Sequence, residues 1–465
     1  MHARRSFGIA ALLAFVSVAL GAATVRAQEN ARSNPFYGSV PRGELTATPV
    51  ALSIKDTISR ALERNLGLLL QEESVRSSRG ARWRALEDLL PNISGSVQQR
   101  RLVLNLEAYG FPANPSIVGP FNVFDARIAI SQPLIDLSAF NDARASSLNL
   151  HAEQLGVRSA RDLVTLVSVN LYLETVTAAS RVEAAHAQQR TAEALLQQAS
   201  DLKASGLVAG IDVLRADVQV QNQRQRSIVA ENDLEKAKLQ LARAIGLPPG
   251  QAVTLTDTIP FAPLPPLALE TALKDALEKR PDLLAAHDRL AAAEAASRAA
   301  KSELLPSLRF DADYGTIGQT ASGAHPTFTV AATVHVPVFE AGRAQARRAE
   351  TDAEERRRRA EYEDFRGRVD LEVRTAVLDV NAAAQQLEAA EKTRSLAAQT
   401  LEQARDRFAA GVAGNIEVTQ AQESVAAASE TYIAALYRHN LAKATLAQAV
   451  GVAESAIMSY LGGLQ

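Results

Sequence analysis

The 465-residue chain has no cysteine, a single tryptophan and few aromatics of any kind. Lacking cysteine, it can form no disulfide, and no thiol is available for lipid attachment behind an export signal. Past the amino terminus no run of ~18 apolar residues occurs, so no transmembrane helix is expected there. The 50 basic and 52 acidic residues nearly cancel, which argues against a general nucleic-acid binder. The seven histidines are scattered, with no His-Glu-x-x-His spacing. No phosphate-binding glycine loop and no Gly-x-Ser-x-Gly elbow occurs. No catalytic residue, metal site or cofactor is therefore expected. Proline is missing between Pro133 and Pro248 and again after Pro337, leaving two long stretches with nothing to break a helix.

The chain begins with an address. His2, Arg4 and Arg5 form a basic start, and Phe7 to Leu20 is an apolar run. Val25-Arg26-Ala27 then places small residues where a signal peptidase reads. Residues 1–27 are read as a signal peptide cleaved after Ala27. The run falls short of the ~20 apolar residues of a spanning helix. The mature protein is thus expected outside the cytoplasm.

The rest of the chain is written twice. Leu52-Ser-Ile-Lys-Asp-Thr-Ile-Ser-Arg-Ala-Leu-Glu-Arg aligns with Leu267-Ala-Leu-Glu-Thr-Ala-Leu-Lys-Asp-Ala-Leu-Glu-Lys. Leu89-Leu90-Pro91 aligns with Leu304-Leu305-Pro306 at the same offset, and Pro133 with Pro337 at a smaller one. Gly206, Ile211 and Val213 align with Gly411, Ile416 and Val418, and Ala244-Ile245-Gly246 with Ala449-Val450-Gly451. The offset slips once, by about 11 residues between the two prolines, where a loop absorbs an insertion at small entropic cost. The chain divides into an N-terminal segment (28–50), a first repeat (51–250), a Pro-rich linker (251–266), a second repeat (267–454) and a C-terminal tail (455–465). Each repeat reads as helix, two strands, very long helix, tight loop, helix.

The strands alternate. Leu308, Phe310, Ala312 and Tyr314 interleave with Ser307, Arg309, Asp311 and Asp313. Phe328, Val330, Ala332, Val334 and Val336 interleave with Thr327, Thr329, Ala331, Thr333 and His335. In the first repeat Phe124, Ala126, Ile128 and Ile130 interleave with Asp125, Arg127, Ala129 and Ser131. This is the period of a strand with one apolar and one polar face. From Ile93 to Leu106 the phase shifts between Val97 and Leu102, which predicts a bulge or bend there. Hairpins are expected over about 92–132 and 307–337. Strands of about 9–11 residues behind an export signal fit a membrane barrel, because only closed barrels keep a sheet satisfied in lipid. Four strands cannot close one, so the chain must borrow strands from its own copies. Two copies give 8 strands and a filled interior; three give 12 and room for a channel.

The helices are rods. The patterns over 138–205 and 341–410 each read as one helix of roughly 68–70 residues, or ~100 Å at 1.5 Å per residue. Pro281 breaks the second repeat's first helix into a short leader and a helix over 282–305. The return helix runs from about Ile416 to Val450. Val380, Ala383, Leu387, Ala390, Arg394, Ala397, Leu401, Ala404 and Phe408 keep heptad spacing. Val418, Ala421, Val425, Ala428, Tyr432 and Ala435 keep it on the return, and Val213, Ala216 and Val220 occupy matching places in the first repeat. The pattern predicts coiled-coil hairpins with tip loops at about 205–212 and 410–417. Arg356 to Arg359 are interleaved with glutamates at helical spacing and read as charge pairs on a wet face.

With the duplicated Leu-Leu-Pro, the Pro133 and Pro337 exits and the two tip loops in view, the sequence resembles the TolC family of outer-membrane efflux proteins, the outer membrane factors, over about Leu52 to Glu454. Gly206-Leu207-Val208-Ala209-Gly210-Ile211-Asp212-Val213 is close to that family's tip pattern, and Gly411-Val412-Ala413-Gly414-Asn415-Ile416-Glu417-Val418 is a looser copy. The resemblance implies a mainly α fold with a small β part. It implies a homotrimeric 12-stranded outer-membrane β-barrel continued by a long periplasmic α-helical coiled-coil barrel. It implies a passive exit duct for tripartite efflux or type I secretion. The partners would be a periplasmic adaptor, an inner-membrane pump of RND or ABC type, and outer-membrane lipid. Adaptor docking would fall on Gly206, Leu207, Val208, Gly411 and Val412. Asp212 and Glu417 match acids that line the narrow periplasmic end in the family. Six such carboxylates around one pore would favour cations. A local reading stands beside it, since an acid in a helix's first turn is favoured by the dipole. Where some members lock the closed tip with an arginine this chain has Ala413, and Gln420 replaces a further acid. The other class of protein that fits a coiled coil, a periplasmic scaffold or adaptor, would need only one hairpin, an inner-membrane anchor and compact β domains.

Overall fold

The computed structural model describes residues 34–111, 114–257, 262–263, 268–338, 342–410, 412 and 414–462. The expected signal peptide, most of the Pro260–Pro266 linker, Gly411 and Ala413 lie outside them. The elements, in chain order, are β1 (Val50–Leu52), α1 (Ile54–Arg64), α2 (Leu66–Glu87), β2 (Asn92–Asn105), β3 (Ile117–Ile135), α3 (Leu137–Ala204) and α4 (Gly210–Ala244). Then come β4 (Val253–Leu255), α5 (Leu269–Lys279), α6 (Pro281–Ser302), β5 (Ser307–Gly318), β6 (His325–His335), α7 (Arg343–Ala409), α8 (Asn415–Val450) and α9 (Ala453–Tyr460). The protein is mostly helical with a small sheet part. The described residues divide into two compact units, those within 1–73, 156–283 and 366–465 in one, those within 74–155 and 284–365 in the other.

The first unit is held by a core that the chain visits repeatedly. Ser53 starts α1 with a capping box: its hydroxyl accepts from the Asp56 amide and the Asp56 carboxylate accepts from the Ser53 amide. Asn65 separates α1 from α2, donating to the Phe36 carbonyl and accepting from the Leu68 amide. Leu52, Ile54, Leu68, Val169, Leu173, Leu241, Ile245 and Ile457 pack in one cluster. Tyr172 sits inside it, its hydroxyl shared between the Leu52 carbonyl (3.1 Å) and the Asp257 carboxylate (2.8 Å). A short parallel ladder joins β1 to β4, pairing Val50 with Val253. The C-terminal segment read as a tail forms α9, and Ile457 and Leu461 anchor it in this core; the glycines just after them mask their apolar spacing in the sequence.

The second unit carries an antiparallel sheet of order β2-β3-β5-β6. Opposed residues share a face, so the register sorts the side chains. Ser96, Asp125, Arg127, Ser131, Asp311 and Asp313 lie on one face, where Arg127 holds Asp125 (2.7 Å) and Asp313 (3.0 Å) and Ser131 donates to Asp311 (2.6 Å). Ile93, Val97, Ile128, Tyr314, Phe328, Val330 and Val334 lie on the other and are exposed. The bulge expected between Val97 and Leu102 is not there: pairing is continuous from Asn92 to Leu102. The register slips beyond Leu102, where Gly119 and Pro120 on β3 face Val103 on β2. The phase shift in the sequence marks the end of the apolar face, where Gln99 and Arg101 take outward positions. The helical segments of this unit pack through small residues, with Ala139, Ala143, Ala152, Ala285, Ala292 and Ala299 all buried.

Polar residues buried near α8 set the pH response of the first unit. Lys443 is fully buried and donates to the Ala262 carbonyl at 2.9 Å. Burial pushes its ammonium down to about 8. Burial, helped by the Lys443 charge, pushes the His439 imidazole down to about 4. Both shifts favour the neutral form in the folded chain, so the unfolded chain binds more protons between each lowered value and the ordinary one. Stability therefore rises with pH from about 4 to 6.5 through His439 and from about 8 to 10.5 through Lys443. The apparent melting temperature of the detergent-solubilised protein should climb between pH ~8 and ~10.5. Lys443→Met should flatten that rise; an unchanged slope would remove Lys443 as its source.

Candidate functional site

The tips where α3 turns into α4 and α7 into α8 are built by helix endings. Gly206 takes the left-handed conformation (φ 73°). Its amide donates to the Lys203 carbonyl and the Leu207 amide to the Leu202 carbonyl, both at 2.9 Å. This is a Schellman ending, which satisfies carbonyls the helix would otherwise leave open. At the other tip the Val412 amide donates to the Arg407 carbonyl at 3.0 Å, the same long-range bond. The next helices begin earlier than the tip ranges 205–212 and 410–417 imply. Ala209 and Gly414 are the extended N-cap residues, so Asp212 and Glu417 fall within first turns.

Each acid has an arginine. Arg215 lies 3.5 Å from Asp212, one turn along α4. Arg407, on the last turn of α7, reaches across the loop to Glu417 at 3.1 Å. Both pairs are partly exposed, a setting in which an ion pair contributes about 0–1 kcal/mol. The docking candidates separate by exposure. Leu207 and Val412 stand out at 71% and 69% exposed, with Ile211 and Ile416 beside them. Val208 instead packs inward against Leu195, Leu401, Phe408 and Val418. Gly411 lies outside the described residues.

Sequence reasoning passed over a polar cluster further along the same helices. Gln219, Gln223 and Ser227 are buried at four-residue spacing on α4, where the heptad reading expects apolar seams. Glu423 on α8 accepts from Gln219 (2.7 Å) and pairs with Arg226 (2.8 Å). Burial raises the Glu423 carboxyl, but these two donors outweigh it and hold the group below its ordinary value. Gln223 also lines a cavity of about 170 Å³ with Ala184, Thr191, Leu401 and Val425. The signal was available, since three polar residues every fourth position on an apolar stripe mark a wet seam. Among the described residues no cluster of three or more metal-ligating side chains occurs.

The family described as outer membrane efflux protein matches residues 272–452, which spans the second repeat including the Arg407–Glu417 tip. The match covers less than half of the chain. Among curated relatives, the pyoverdine export outer membrane protein OpmQ of Pseudomonas putida is 27% identical over 61% of this chain, a match that spans 60% of the relative. OpmQ of Pseudomonas aeruginosa is 24% identical over 82% of this chain and 81% of its own length. Among solved structures the outer membrane protein VceC of Vibrio cholerae superposes with a TM-score of 0.76 at 17% identity, covering 86% of this chain and 97% of that one. These relatives are named outer membrane proteins, and the chain shares the mostly helical fold of VceC.

Gly206 offers a clean test of the tip geometry. A Cβ there meets nothing within 4 Å, so Gly206→Ala carries only the left-handed backbone penalty of about 1–2 kcal/mol. Amides over 202–209 should exchange hydrogen faster in the variant while α1 and α9 are unaffected. Equal exchange at the tip would show that the ending does not depend on glycine.

Proposed function

We propose that three copies of this chain form a passive exit duct for tripartite efflux or type I secretion, with a twelve-stranded barrel and a twelve-helix tunnel built from duplicated units. One observation carries the reading: a four-stranded sheet with a polar face, an exposed apolar face and two open edges, β2 and β6. In lipid every backbone polar group needs a partner, so such a sheet is complete only when β6 of one copy pairs with β2 of the next. Charged residues then line the water and Ile128, Phe328 and Val330 meet the acyl chains. The export roles named for the relatives fit a conduit, and no step needs catalysis. The pump that feeds the duct chooses the cargo.

A periplasmic adaptor docks at the helix tips, where Leu207 and Val412 offer apolar contacts close to Gly206 and Gly411. Asp212 and Glu417, taken three times, form an acidic ring whose charge is offset by Arg215 and Arg407. The ring favours cations to the extent that the arginines stand behind it.

The wild-type protein should run as a heat-modifiable trimer in detergent and conduct in planar bilayers. Recovery as a soluble periplasmic monomer would overturn the duct. Asp212→Ala with Glu417→Ala should lower cation preference severalfold, and Arg407→Ala should raise it. Unchanged reversal potentials in both variants would remove the tip from selectivity.

A further inference from the structure

The two hairpins of the sheet differ in height. β5 and β6 end at Gly318 and His325, and Gly318 pairs with Phe124. β3 continues to Ile117 with only β2 beside it. Residues 117–123 thus project past the shorter hairpin by roughly 24 Å at ~3.4 Å per residue. This overhang holds the residues that the first repeat has in excess.

The chemistry of the overhang changes on one face. Along β2 the charged face runs Ser94, Ser96, Gln98, Arg100, and its partners include Asp125 and Arg127. The next residues on that face are Leu102 and Leu104, opposite Phe121 and Val118. A face that is mainly polar inside the sheet, with Ala129, Ile317 and Ala331 among its charges and hydroxyls, becomes apolar beyond it. Leu102, Leu104 and Phe121 are only half-buried and Val118 is exposed. The change coincides with the register slip at Gly119-Pro120. Gly119 has φ 114°, and a Cβ there would lie 2.9 Å from the Leu102 carbonyl oxygen. Bulges of this kind bend a strand and re-aim it, and they recur at barrel rims.

Resting on the trimeric-barrel reading, we propose that the three first-repeat hairpins lean over the outer mouth and pack against one another, closing it with an apolar seal made of Leu102, Leu104, Val118 and Phe121. The occupant of each apolar face is the same face of the other two copies. Reach permits it. Twelve strands ~4.8 Å apart, tilted by ~40°, enclose a barrel of radius ~12 Å, half the length of the overhang. Room permits it too, since the β5–β6 hairpins stop below and leave only three hairpins at the mouth. The polar face of a closed barrel looks into water, so apolar side chains there gain by meeting each other across the axis. A hydrophobic constriction of this type excludes water and ions until its parts separate.

The absence of native cysteine makes the test direct. In the full-length protein, Leu104→Cys should yield covalent dimers under mild oxidation, whereas Thr333→Cys, on the polar face inside the sheet, should not. On whole cells, Ser96→Cys should react slowly with a bulky, membrane-impermeant maleimide. Adding Leu104→Asp and Phe121→Asp should raise that rate at least tenfold. Conducting trimers whose Leu104→Cys copies do not cross-link, with labelling of Ser96→Cys unchanged by the aspartates, would overturn the seal and leave the duct standing. A wild-type protein that forms no trimer in detergent would overturn both.

Discussion

A sheet with two free edges leaves rows of amide and carbonyl groups that water satisfies and hydrocarbon does not. Here β2 and β6 each have one neighbour, while the apolar face beside them carries Ile93, Val97, Phe328 and Val330 in the open. The same strands cannot be stable in lipid alone and would be an aggregation hazard in water. If the sheet lies in lipid, as the proposed duct requires, assembly is a condition of its fold. The polar face depends on the same register. Arg127 can hold Asp125 and Asp313 at once only because β3 and β5 pair in that frame, and a slip by one residue would turn every charge onto the apolar face.

Alanine plays the corresponding part among the helices. Roughly half of the buried apolar positions are alanine, so backbones approach closely and large side chains interlock only at intervals, as Leu387, Leu401 and Phe408 do along α7. Little apolar area is buried per residue in such a packing, and polar groups enter the seam readily. Gln219, Gln223 and Glu423 are one instance, and the Arg280 guanidinium is another. It is almost fully buried and braces Asp282 (2.9 Å) and Glu372 (2.5 Å), with burial opposing a net upward shift of its pKa.

Much of the fold was legible because punctuation and period are local properties. The gap in proline between Pro133 and Pro248 announced α3 to within a residue of each end, and the Leu308–Tyr314 alternation announced β5 with its faces. The places that sequence reasoning misses depend on partners. A phase shift between Val97 and Leu102 looks like a bulge, yet the ladder is unbroken there, and the true slip comes just past Leu102, where the extra residue sits on β3. At the tips, Asp212 and Glu417 could be placed in first turns from sequence. The reach of Arg407 across the loop could not, since it depends on how α7 and α8 are set against each other. The inward turn of Val208 was hidden for the same reason, as apolar tip residues look alike until their neighbours are known.

The short ladder of β1 and β4 has a consequence for how the chain comes to be folded. Its partners, Val50 and Val253, are about 200 residues apart, and closing a loop of that length costs roughly 5 kcal/mol of chain entropy. Three pairs of residues cannot offset this without the burial of Ile54 and Leu52 and the bonds that Tyr172 and Asp257 make around them. Strand β1 therefore waits, unpaired, until the two hundred residues up to β4 have been made and have found their places. Over that interval it is an exposed sticky end, the part of the chain most open to wrong pairing.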